Sequence, residues 1–259
     1  MPVIVLAYPY SGVERLEQLL AGHAGLACTS GTGLLPLCAE AVGTWQRVDG
    51  RGGSPSLLAA SSVRALVGKM TTIILARSGG SRWCEISFGQ PAAAQAFLQL
   101  YPEARLLCWH RDGRDVIRAG VQANPWGLAD RGLAPFVAAY PGSSAAAMAA
   151  YWADRTEALL RFEEARPGNC LRVRYEEVTS RPGAAMTEIS AFLGLDAKHV
   201  AAADATATAA RPATTAAVTE LELPAALMPA ALNGRVNDLQ ARLGYARLEL
   251  VSPARAAAR

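Results

Sequence analysis

Short apolar runs that end in turns and pass into helical patterns recur along this chain, and that alternation leaves few folds open. Pro2–Ala7 is such a run, and Tyr8-Pro9-Tyr10-Ser11-Gly12 is the turn after it. A helix follows, with Leu16, Leu19 and Leu20 on one face. Further strands are read at Thr71–Ala76, Arg82–Ile86, Leu106–His110 and Cys170–Tyr175, with helices at Ser56–Met70, Gln90–Leu100, Ser144–Arg166 and Gly183–Leu193. Strand and helix in alternation predict an α/β protein: a central parallel sheet flanked by helices in a three-layer, P-loop-like fold. At 259 residues the chain fits one large domain over 1–259. Gly43–Ser56 and Asn124–Ser144 read as loops, Ala201–Ala217 as an Ala/Thr-rich flap, and Pro253–Arg259 as a frayed tail.

Two of the turns carry chemistry. Leu106 to Val116 runs from an apolar strand straight into Arg111-Asp112-Gly113-Arg114-Asp115 at the start of a helix. Guanidinium forks reach phosphate oxygens in pairs, and the first amides of a helix add donors and a positive dipole end. The turn Tyr10-Ser11-Gly12 also lies between strand and helix, a phosphate cradle of the P-loop kind without the full GxxxxGK[ST] signature. Parallel strands would bring both turns to the carboxyl ends of the sheet, where open α/β folds bind ligands. Each motif also has a plain structural reading. Ser11 could serve as a helix N-cap, and Arg111 and Arg114 could pair with Asp112 and Asp115.

At these residues the chain resembles the bacterial sulfotransferases that use 3'-phosphoadenosine-5'-phosphosulfate (PAPS) as donor. Pro9-Tyr10-Ser11-Gly12 stands where that family has its 5'-phosphosulfate loop, and Arg111 to Val116 is similar to its 3'-phosphate motif. Arg174-Tyr175-Glu176-Glu177-Val178 and Arg235 to Tyr245 are similar to later family segments. The resemblance implies a sulfuryl transfer from PAPS to the hydroxyl of a small-molecule acceptor, with Tyr10, Ser11, Gly12, Val13, Arg111, Arg114, Tyr175 and Arg211 around the donor. It implies no metal. The chain also departs from the pattern: Val13 and Glu14 replace two threonines, Tyr10 a cation, Ala119 a serine, and Ile86 the lysine of the segment Trp83 to Ser87. Those departures keep two other readings open, an enzyme of the same fold that has lost PAPS and performs elimination or cyclisation on an anionic molecule, or a binding protein.

Candidate bases are His110, which ends its strand beside Arg111, and Glu85, which matches the family's Trp-x-Glu. His23 reads as a surface or capping residue. Trp126 and Tyr140 in the long loop are candidates for the acceptor side of the pocket, with the flap and its Arg211 closing over it. A net charge of +3 requires neither nucleic acid nor a membrane as partner, and arginine supplies nearly all the positive charge, the lysines being Lys69 and Lys198. Five scattered cysteines without metal-ligand spacing, and no apolar run of targeting length at the start, predict a cytoplasmic monomer or homodimer with reduced thiols.

Overall fold

The computed structural model describes residues 1–49, 56–88, 91–124, 132–196 and 228–249. Strands β1 (Val3–Leu6), β2 (Leu26–Ser30), β3 (Arg82–Ser87), β4 (Arg105–His110) and β5 (Cys170–Arg174) form one five-stranded sheet in the order β2-β3-β1-β4-β5. The helices are α1 (Glu14–Ala21), α2 (Leu34–Asp49), α3 (Leu57–Ser78), α4 (Pro91–Leu100), α5 (Gly113–Ala123), α6 (Ala134–Ala139), α7 (Ser144–Ala165), α8 (Tyr175–Ser180), α9 (Pro182–Leu193) and α10 (Ala230–Arg242). The sheet is parallel and flanked by helices, the α/β class read from the sequence.

β1 lies between β3 and β4, in registers that run from Val3 opposite Cys84 and Arg105 to Leu6 opposite Ser87 and Cys108. A strand covered on both faces has no polar side to show, which is why Val3–Leu6 and Leu106–Trp109 are unbroken apolar runs. The strand order turns back at β1, with β3 and β2 on one side and β4 and β5 on the other. Open α/β sheets form their ligand crevice at the carboxyl ends beside such a point.

The described residues form two compact units. The first holds residues 1–8, 13–109 and 162–196, and with them nearly the whole sheet. Its core joins Val3, Val5 and Leu107 to Leu16, Leu19 and Leu20 of α1 and to Met186 and Ile189 of α9. The second unit holds Pro9–Gly12, residues 110–161 and residues 228–249.

Several expectations about local structure are corrected. Thr71–Ala76 is the last part of α3 and not a strand; the helix is capped at its start by Ser56, whose side chain accepts from the Ala59 amide at 3.3 Å, and ends at Gly79 with φ 74°. The β-branched run Thr71 to Ile74 favours a strand only weakly, and no turn residue separates it from the helical stretch before it. α2 runs through to Asp49, so helix occupies the first part of the loop assigned to Gly43–Ser56. The loop Asn124–Ser144 contains α6, and β2 was not foreseen. His23 is buried, not at the surface, and its Nδ1 accepts from the Gly25 amide at 3.1 Å. α3 is apolar and long enough to cross a membrane by length and composition alone; here it packs against α2, α4 and β3. Trp126, Arg211, the flap Ala201–Ala217 and the tail Pro253–Arg259 lie outside the described residues.

Candidate functional site

In the second unit the two turns singled out by sequence meet. Arg111 Nη1 donates to the Tyr10 carbonyl oxygen at 3.4 Å, and the Arg111 side chain keeps 18% of its surface exposed. Tyr10 is the described non-glycine residue with positive φ, at 67°, and Gly12 follows with φ 70°. Left-handed backbone on either side of Ser11 is the alternation of hand found in backbone nests that cradle anions. Ser11 itself is fully buried. The Tyr10 hydroxyl accepts from Asn124 Nδ2 at 2.9 Å, so the side chain in the place of a family cation is tied to the end of α5.

The Arg111 turn is braced from below and behind. Trp152 of α7, wholly buried, donates through Nε1 to the Arg111 carbonyl at 3.1 Å. A Cβ at Gly113 would come within 2.9 Å of that indole, so the turn can approach the ring only with glycine there. Asp112 caps α5, accepting from the Arg114 amide at 2.9 Å. Its carboxylate also takes two hydrogen bonds from the Arg114 Nε, at 3.0 and 3.1 Å, and an ion pair from Nη2. Gln240 of α10 completes the cap: Nε2 donates to Asp112 Oδ1 at 2.8 Å and Oε1 accepts from the Gly113 amide at 3.2 Å. Burial raises the pKa of Asp112, but the hydrogen bonds of the Arg114 side chain, of Gln240 and of the Arg114 amide outweigh it and hold the carboxyl below the ordinary aspartate range.

This network corrects the expectation that the first amides of α5 serve a ligand. Gly113 N goes to Gln240, Arg114 N to the Asp112 side chain, and Asp115 N and Val116 N to the Asp112 carbonyl. Arg114 is committed to Asp112. The cation that shares a carboxylate with Arg111 is Arg118: Asp115 lies 3.9 Å from Arg111 and 3.0 Å from Arg118. Gln240 was missed by sequence reasoning, because its partners are fixed only by tertiary contact. Arg118 stands seven residues after Arg111, a spacing that puts the two side chains on one helical face.

Residues 2–199 match the sulfotransferase family. The chain belongs to that family. Its fold is similar to that of the sulfotransferase domain from the curacin biosynthetic pathway, at 15% identity and a TM-score of 0.60, covering 97% of this chain and 99% of that one. It is also similar to the sulfotransferase domain of the Synechococcus PCC 7002 olefin synthase, at 18% identity and TM-score 0.58, covering 95% and 94% of the two chains. Sulfotransferase STF9 from Mycobacterium avium is a further structural neighbour, at 16% identity and TM-score 0.55, covering 96% of this chain and 77% of that one. No curated protein matches the chain by sequence. A sulfotransferase of α/β fold, the expectation from the motifs, is thus met at the level of family and fold.

The motifs around Glu85 and Tyr175 lie in the first unit and do structural work there. Glu85 is 2% exposed. One carboxylate oxygen accepts from Thr29 Oγ1 at 2.6 Å and the other from the amide and hydroxyl of Thr32, both at 2.9 Å. Burial raises its pKa, and those hydrogen bonds partly offset the rise. Glu85 therefore fastens the turn from β2 toward α2. Val13 and Ile86, where the family has polar residues, are core residues at 2% and 0% exposure. Tyr175 is not the end of β5 but the first residue of α8, half-buried, with its ring edge-on to Trp109 at 6.0 Å. Glu14 is exposed in the first turn of α1, where a carboxylate suits the helix dipole, and Val13 stands at the N-cap position in place of Ser11. In the second unit His110 is fully buried and Tyr140 is the half-buried C-cap of α6.

Proposed function

We propose that this chain transfers a sulfuryl group from PAPS to a hydroxyl of a small-molecule acceptor. The observation that carries the reading is the Arg111 to Tyr10 hydrogen bond, which joins the arginine turn to the left-handed turn Pro9–Gly12 while part of the Arg111 side chain stays exposed. Arg111, with Arg118 beside it, would meet the 3'-phosphate, and the amides of the turn Tyr10–Gly12 would meet the phosphosulfate. As the acceptor oxygen bonds to sulfur, the bond to the 5'-phosphate oxygen breaks, the hydroxyl proton leaves to solvent and charge builds on the leaving phosphate. Donors already fixed in place stabilise that charge without reorganising. Both candidate bases are covered, and Glu85 has both oxygens engaged. This reading therefore makes Glu85 a positioning residue and rests the rate on orientation and charge. Tyr175 and Arg211 remain proposed donor contacts, Trp126 and Tyr140 proposed acceptor contacts, and the five free cysteines favour the cytoplasm.

A second reading, a sulfotransferase fold that has lost its donor, is favoured by one specific observation. The first amides of α5 are spent on the protein, Arg114 is spent on Asp112, and a tyrosine stands for the loop cation. Calorimetric titration with adenosine 3',5'-bisphosphate separates the two. Saturable binding, with a rise in melting temperature that grows with the logarithm of ligand concentration, supports the first reading. Silence at millimolar ligand overturns it in favour of the second.

A further inference from the structure

A cavity of about 270 Å³ opens within the first unit near the amino-terminal ends of the strands, away from the carboxyl-end turns. Its walls include Val67 and Leu75 of α3 and Trp83 of β3, and Arg64, Arg82 and Tyr101 bring its polar groups. The two arginines are held by neutral partners. Arg82 donates through Nε to the Met1 carbonyl at 2.6 Å and through Nη1 to the Leu193 carbonyl, while its buried Nη2 has no hydrogen-bond partner. Arg64 donates through Nε to the Leu100 carbonyl and lies 5.7 Å from the centre of the Tyr101 ring. Among the described residues no carboxylate pairs with either.

Carbonyl partners satisfy hydrogen atoms but leave the positive charge uncompensated, and burial pulls the Arg82 guanidinium below the ordinary arginine range. Arg82 Nη2 is itself closed off, so an incoming anion there meets the uncompensated charge of the group and not this N–H. The neighbouring wall is apolar, so a fully hydrated inorganic anion would leave that wall wet. The volume falls just under the ~300 Å³ at which small-molecule pockets usually begin, which limits the guest to a short body.

We propose that this cavity binds a small amphipathic carboxylate, its head group beside the Arg82 and Arg64 guanidinium groups and its apolar body against Val67, Leu75 and Trp83. The site is separate from the one assigned to PAPS. Gly68 also lines the cavity, and a Cβ there meets nothing within 4 Å. Gly68→Phe therefore fills the cavity from a helix interior and keeps both arginines in the chain.

The test is calorimetric titration of the full chain with octanoate and, as the neutral isostere, 1-octanol. Octanoate is expected to bind the wild type about tenfold or more tighter than octanol, the difference a charge-assisted contact makes. Arg82→Met should bring the two ligands level, and Gly68→Phe should abolish binding of both with the melting temperature kept. Should Arg82→Met fail to fold, Arg64→Met and Gly68→Phe carry the test. Octanoate binding must also persist when adenosine 3',5'-bisphosphate is saturating. No binding at millimolar octanoate, equal affinity for octanol, wild-type affinity in Gly68→Phe, or competition with the bisphosphate would each overturn the proposal.

Discussion

Removing Gln240 should unfasten the arginine turn. The residue is fully buried and contributes a donor to the Asp112 carboxylate at 2.8 Å, an acceptor to the Gly113 amide at 3.2 Å, and a donor to the Ala246 carbonyl at 3.3 Å. Gln240→Ala strips a bond from a buried carboxylate, worth about 1.5–3 kcal/mol, and orphans a buried N–H, at about 1–3 kcal/mol. The combined loss is about 2.5–6 kcal/mol, which lowers the melting temperature by roughly 5–24 °C in a domain of this size. Circular dichroism melts and urea titrations at constant slope would read it. Gln240→Glu still offers an acceptor to Gly113 but sets a second carboxylate against Asp112, so it should be at least as damaging at neutral pH and partly recover on acidification. Because Asp112 has a depressed pKa, its contribution is full above the unfolded value near pH 4 and fades as pH falls through the folded one; Asp112→Asn should flatten that acid limb. A Gln240→Ala protein that loses no more than about 0.5 kcal/mol, as an exposed substitution does, refutes the reasoning.

Arg111→Ala should weaken binding of adenosine 3',5'-bisphosphate about tenfold or more, whereas Arg114→Ala, which breaks the Asp112 cap, should lower thermal stability and leave affinity near wild type. Calorimetry and melts on the two variants check this, and a larger affinity loss in Arg114→Ala reverses the assignment. Glu85, with its raised pKa, binds its proton more tightly folded than unfolded, so that group's contribution falls as pH rises. Glu85→Gln should be as stable as the wild type or more so in urea titrations at pH 7, any advantage vanishing below about pH 4. An advantage that grows on acidification would show the sign to be wrong. Val13→Thr places a hydroxyl in the core and should cost about 1–3 kcal/mol, while Glu14→Thr, at an exposed site, should leave the melt unchanged and modestly raise bisphosphate affinity. Melting curves with a bisphosphate titration of each single variant separate the two effects.

The central strands were legible because covering both faces of a parallel sheet makes a strand uniformly apolar, and Val3–Leu6 and Leu106–Trp109 could be little else. α3 was misdivided for the converse reason. Its later part, Thr71 to Ile74, is β-branched, and only the cap at Ser56, the stop at Gly79 and the packing on α2 and α4 decide for helix. Leu26–Ser30 becomes a strand through its pairing with β3, a fact its own residues do not carry. In the candidate site, Arg111 and the turn Tyr10–Gly12, which the structure brings together, could be singled out because their motifs are local: a strand, a turn and a cation or a glycine. The division of labour between Arg111 and Arg114 could not. It depends on Gln240, 128 residues from Asp112, whose arrival closes the cap and spends the helix amides.

That spending separates this site from a phosphate cradle at a bare helix N-terminus. Where amides point at an anion, the protein supplies many weak donors and a dipole, and a single side chain matters little. At α5 those donors are consumed by Asp112 and Gln240, so under the proposed reading an anion there would meet guanidinium groups, chiefly Arg111, whose own position is fixed by Trp152 beneath its carbonyl and Tyr10 beside it. The turn Pro9–Gly12 works the other way. Tyr10 and Gly12 hold left-handed backbone on either side of a buried serine, and donors there belong to the main chain, indifferent to the loss of the family's cation at Tyr10. A ligand with two anionic ends would be read by backbone at one end and by side chains at the other. On that reading the side-chain end is where a single substitution would decide affinity.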